Sequence, residues 1–170
     1  MTGGDIDPAE GMVRRQLDVL GVAYEVLACD PSLADTADFC RAYGFALEDS
    51  ANTIIVVGKS DPPRYVACVV LATTRLDVNR TVRTRLGVKK ASFATPEQTH
   101  AMTGMAMGGV TALGLPEGLP IWVDSRVVAR SRIVLGGGSR SCKVIGPPTL
   151  LTAQTGVEVV DDLALVPRVD

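Results

Sequence analysis

The stretch best suited to hold a reacting group is Gly108-Gly109-Val110-Thr111-Ala112. Glycine lets the backbone approach a ligand closely. Its N–H groups can polarise a carbonyl and hold the charge that develops on its oxygen. The bland alternative is a flexible connection. Lys59 is the candidate cation, because it closes the apolar run NTIIVVGK. A side chain leaving the end of a rigid strand can project into a cleft and bind a phosphate or a carbonyl oxygen. The same lysine stands just before Asp61-Pro62-Pro63, the ordinary setting of a solvated turn lysine. Asp124 ends the run IWVD, where a carboxylate can face a ligand or cap the segment that starts at Ser125.

Several familiar chemistries fail on the residues present. A Ser-His-Asp triad would have to use His100, the single histidine, which lies in an expected helix with no G-x-S-x-G elbow in the chain. Gly58-Lys59-Ser60 ends like a phosphate-binding loop, but Thr53 occupies the position of its first glycine. In GGGSRSCKV, Cys142 precedes the lysine where glycine is required, and Val144 follows it. Cys29, Cys40, Cys68 and Cys142 form no C-x-x-C pair, so no metal site is expected and the thiols read as reduced and buried.

The elements that must position these groups carry local signals. Asp7 as cap, Pro8 at the first position and Glu10 three residues after the cap start a helix that Gly21 ends. Residues 22–27 read as a strand and 36–43 as a helix closed by Gly44. The β-branched runs 52–57 and 65–72 flank the turn-rich GKSDPPR and predict an antiparallel hairpin. Asp77 caps an expected helix to Leu86, 91–94 is a short extended piece, and Thr95-Pro96-Glu97-Gln98 is a capping box. Strands are expected at 121–123, 133–135, 143–145 and 157–160, with a helix from Pro148 to Thr155. Hairpin links beside longer crossovers give an α+β (mixed α/β) fold: a partly open mixed β-barrel or sheet surrounded by helices. Residues 1–9 are expected as a loose N-terminal arm and 10–165 as one domain.

The 170 residues are 46% hydrophobic and 21% charged, as in soluble globular proteins, with no run long enough to span a bilayer and no signal-peptide pattern. A cytoplasmic protein is expected. The net charge of −2 hides an asymmetry: residues 1–50 carry −7, residues 51–150 carry +8 and residues 151–170 carry −3. A basic middle block of this kind can steer a phosphate backbone, although solvated helix faces would produce it too.

Read in order, the segments resemble the YbaK/prolyl-tRNA-synthetase-associated family of editing domains over about residues 10–162. They are Thr36 and Asp38 within 31–40, the strand NTIIVVGK, the run from YVACVVLATTRLD to ATPEQTHAMTG, and MGGVTALGLPEGLPIWVDSRV. The resemblance implies hydrolysis in trans of the ester of a mischarged aminoacyl-tRNA carrying a small amino acid: alanine, serine, cysteine or proline. No cofactor is implied. The partner would be the 3′ acceptor end, with a synthetase as a second partner, no membrane, and an oligomeric state left open. It gives Lys59, Gly108, Gly109 and Asp124 the catalytic roles, Asp124 receiving the α-ammonium group. Val110, Thr111, Ala112, Gly137, Gly138 and Ser139 would bind the aminoacyl group, and Arg75, Arg80, Arg83, Lys89 and Lys90 the tRNA. The family has Ser and Pro where this chain has Thr111 and Ala112, which bears on the amino acid accepted. The alternatives are an inactive tRNA- or synthetase-binding module of the same fold and a small-molecule hydrolase or nucleotide binder.

Overall fold

The computed structural model describes residues 5–168. Helix α1 (Pro8–Leu20) starts where its signals lie: the Asp7 carboxylate accepts the N–H groups of Ala9 and Glu10, and Gly21 closes it in the left-handed conformation. Pro8 and Ala9 are thus helical, inside the stretch expected to be a loose arm, and Ala9 is buried. Residues 1–4 of that arm lie outside the described residues. Strand β1 (Glu25–Ala28) begins three residues later than expected, and α2 (Thr36–Tyr43) ends at Gly44 as expected.

The hairpin is β2 (Ala51–Gly58) with β3 (Arg64–Leu71), antiparallel and in register from Ala51↔Leu71 to Gly58↔Arg64. β4 (Arg75–Leu76) leads into residues 78–86, expected as one helix. The segment opens instead as a wide π turn, because Asp77 accepts the N–H of Val82 on its carbonyl and the Thr81 hydroxyl on its carboxylate. Only α3 (Arg83–Leu86) is regular helix. Next come β5 (Ala91–Phe93) and α4 (Pro96–Thr103), whose reciprocal Thr95–Gln98 capping box is fully formed. A long irregular stretch rich in glycine then leads to β6 (Ile121–Asp124) and α5 (Ser125–Val128). The chain ends with β7 (Ile133–Gly136), β8 (Cys142–Gly146), α6 (Thr149–Thr152, shorter than expected), β9 (Val157–Val160) and β10 (Ala164–Leu165).

A five-stranded mixed sheet, ordered β5-β2-β3-β6-β9, faces a three-stranded antiparallel sheet, β1-β8-β7. A single bridge, Ser50 to Val134, joins the start of β2 to β7, so the two sheets touch at one corner and do not close. The expected mixed α/β architecture with a partly open sheet is thus the one observed. The main core lies between the sheets, with Val13 and Leu17 of α1, Met105 and Leu113 packed on it. A second core covers the other face of the large sheet, where Val78, Val82 and Leu86 meet Val66, Cys68, Val70 and Trp122. β3 is therefore buried on both faces, which explains its nearly unbroken apolar sequence.

Candidate functional site

Where the sheets touch, the start of β2 passes over β7, and a cavity of about 250 Å³ opens beside that corner. It is lined by the lead-in to α2, by Asn52 and Thr53 of β2, by Gly108 and Val110, by Gly136 of β7 and by Lys143 of β8. The glycines have a steric reason to be there. A Cβ on Gly136 would collide with the Val110 carbonyl, and one on Gly109 would collide with the backbone of Ser139. The two glycine-rich segments can be this close only because neither carries a side chain at the contact.

The polar groups of the cavity are held from behind. The Lys143 ammonium donates to the carbonyl oxygens of Ala34 at 2.7 Å and Gly108 at 2.8 Å. Burial pushes its pKa below the ordinary lysine value. Arg140, from the turn before β8, donates to the carbonyls of Pro31 and Met107 and to the Asp35 carboxylate at 3.1 Å. Two cations thus pin the backbone of residues 107–108 to the lead-in of α2. Thr36 Oγ1 donates to Asn52 Oδ1 at 2.9 Å, which leaves the Asn52 amide hydrogens for another acceptor. The Thr53 hydroxyl is buried and has no hydrogen-bond partner.

The expected site residues divide into three places. Gly108 and Val110 line the cavity, and Gly109 lies just behind it. The Gly109 N–H donates to Ala106 O at 2.9 Å and its carbonyl accepts from Gly138 N at 2.8 Å, so this amide is not free to stabilise charge, contrary to expectation. Thr111 and Ala112 are wholly buried under the wall, and neither lines the cavity. Gly137, Gly138 and Ser139 also stand behind it. A Cβ on Gly138 would press on Ala9 of α1, and the Ser139 hydroxyl donates to the Glu10 carboxylate.

Asp124 lies elsewhere. Its buried carboxylate caps α5 through Arg126 N at 2.8 Å, accepts Ala164 N at 2.9 Å and pairs with the Arg126 guanidinium at 3.1 Å. Every part of that carboxylate serves the fold, so it receives no substrate ammonium group in this arrangement. Lys59 is at the opposite end of β2 from Thr53. At about 3.3 Å per residue the two are on the order of 20 Å apart. Lys59 lines a second cleft, of about 580 Å³, together with Asn79, Arg83, Lys89 and Lys90. The structure brings Lys59 to three of the expected tRNA-binding residues and not to Gly108. None of these four cations forms an ion pair among the described residues. Arg75 and Arg80 are exposed outside that cleft.

Lys143, Asn52 and Thr53 were not among the expected site residues. A lysine inside the otherwise apolar strand CKVIG was the available signal, since lysine is seldom buried without a task. His100 is exposed on α4. The four cysteines are free and buried, and burial pushes Cys68 up to about 12 and Cys142 to about 11, so neither supplies a thiolate nucleophile near neutral pH. No described helix is long and apolar enough to cross a membrane.

Residues 30–153 match the model of the aminoacyl-tRNA editing domain, so this chain belongs to that family, the YbaK-type family its sequence resembles. Similar solved structures include a proposed trans-editing enzyme for prolyl-tRNA synthetase, 24% identical, with a TM-score of 0.79 over 94% of this chain and 98% of that one. A hypothetical protein is 22% identical, with a TM-score of 0.78 over 88% of this chain and 97% of its own. A proposed signal transduction protein from Marinobacter aquaeolei VT8 is 15% identical, with a TM-score of 0.62, and this chain spans 30% of it.

Proposed function

We propose that this editing-domain protein is a trans-acting aminoacyl-tRNA deacylase that removes a small amino acid from the 3′ end of a mischarged tRNA. The observation that carries this reading is the cavity between β2, the glycine loop and β8, which sets one buried cation beside a wall of glycine backbone. A pocket of this size has room for the side chains of alanine, serine, cysteine or proline, and the preference for small amino acids is carried over from the family resemblance. The wall at Gly108 and Val110 lets the ester lie against backbone. The second cleft, with Lys59, Arg83, Lys89 and Lys90, holds acceptor-stem phosphates, and Arg75 and Arg80, exposed outside it, add to the basic surface. A domain of residues 10–165 working apart from a synthetase, in the cytoplasm, completes the proposal.

One observation favours a second reading. Neither Lys59 nor Asp124 reaches the cavity, as a fold kept only to bind tRNA or a synthetase would allow. A deacylation assay on tRNAs charged with those four amino acids separates the two. Release of one amino acid at a rate well above the buffer background supports the deacylase. Salt-sensitive tRNA binding with no release from any of them supports the binding module.

A further inference from the structure

The cavity wall holds a buried ammonium group, that of Lys143, met in the sequence only within a failed phosphate-loop match. Lys143 is only 7% exposed, and its strand neighbours Cys142, Val144 and Ile145 are buried with it. A lysine so enclosed normally faces a carboxylate, yet Lys143 forms no ion pair among the described residues. The nearest acid on this side, Asp35, is paired with Arg140. Two neutral carbonyls, of Ala34 and Gly108, accept two of the three ammonium protons. The Phe39 ring centroid lies 5.5 Å from Nζ. One proton is left over at a position that lines the cavity, on a charge with no anionic partner.

We propose that Lys143 is a catalytic residue of this pocket, donating its third proton in a hydrogen bond to the carbonyl oxygen of the aminoacyl ester. The assignment rests on the deacylase reading above. In the reaction, the oxygen of a water bonds to the acyl carbon and negative charge gathers on the carbonyl oxygen beside Nζ. The bond from the acyl carbon to the ribose oxygen then breaks, and that oxygen takes up a proton from the water. The products are the free amino acid and the tRNA hydroxyl. Lys143 keeps its own proton throughout, and its value is that a fixed, desolvated charge already stands where charge develops. The Gly108 carbonyl, drawn toward the ammonium, fixes how far into the cavity the ammonium can reach.

The test is steady-state deacylation of the preferred charged tRNA by wild type, Lys143→Met and Lys143→Arg, with tRNA affinity and melting temperature measured for each. Lys143→Met should lower kcat by about 10²–10³-fold and leave tRNA affinity unchanged, because the phosphates are held elsewhere. Wild type should lose activity as pH rises through the depressed pKa of Lys143, after the buffer rate is subtracted. The titratable and charged groups that act on Nζ through their fields are Cys29, Arg140, Asp35 and Cys142. Lys143→Arg, whose guanidinium stays charged, should retain activity and lose that alkaline fall. Turnover within a few-fold of wild type in folded Lys143→Met would overturn the assignment alone. So would Lys143→Arg that is inactive at every pH or keeps the wild-type alkaline fall, either of which makes Lys143 a staple for the loop. No turnover by wild type on any substrate would overturn the deacylase reading and this assignment with it.

Discussion

The two ends of β2 handle positive charge in opposite ways. At Asn52 and Thr53 the strand borders a small cavity with one cation, buried and tied to backbone carbonyls. At Gly58 it ends beside a cleft more than twice as large, with four cations, three of them exposed, and no counter-charge among the described residues. A buried charge acts at short range with little screening and must be fixed in place. Exposed charges act through their number, tolerate motion and fade with salt. The first arrangement suits a reacting bond, and the second suits a repeating polyanion whose sequence is not read.

The comparison can be broken most forcefully by reversing charge in the large cleft. Lys59→Glu combined with Arg83→Glu should raise KM for charged tRNA on the order of 10²-fold with kcat unchanged, measured by steady-state deacylation. A matching fall in kcat would mean that the two ends are not separate. Asp124 offers a control outside both. Asp124→Ala leaves Arg126 without its buried partner and removes the α5 cap, and should cost about 3 kcal/mol of stability in urea unfolding, with kcat per folded molecule intact. A selective loss of kcat would return Asp124 to the site.

A smaller effect sharpens the picture at the cavity. Thr53→Val removes a buried hydroxyl without a partner, so the free protein should melt slightly higher. The hydroxyl oxygen is closed off from solvent, so turnover should stay within a few-fold of wild type in steady-state deacylation. The smallest change is expected for Arg80→Ala. It should lower the salt slope of tRNA binding by no more than about one phosphate contact, because Arg80 stands outside the cleft.

What could be read from the sequence was whatever is decided locally. The Thr95–Gln98 capping box, the Pro8 start of α1 and the β2–β3 hairpin were all legible, since their signals lie within a few residues of one another. The π turn at 78–82 was not, because it depends on the Asp77 carboxylate choosing the Thr81 hydroxyl over a capping bond. The order of the large sheet was beyond reach too: β3 pairs in parallel with β6, some fifty residues on. The site suffered from the same blindness. Gly108 was legible from composition, but that Lys143 and not Lys59 stands beside it follows from long-range contacts: β8 pairs with β7, and the start of β2, not its end, meets β7 at Ser50–Val134.

On the proposed deacylase reading, β2 would be a rigid spacer between two handholds. An RNA that reaches both is bound the second time as if at high local concentration, and its affinity exceeds what either end provides alone. A nucleoside ester carrying only the aminoacyl terminus, or an uncharged stem carrying only phosphates, gains none of this. Discrimination against free amino-acid esters in the cell would then come from length, before any contact with the side chain is made.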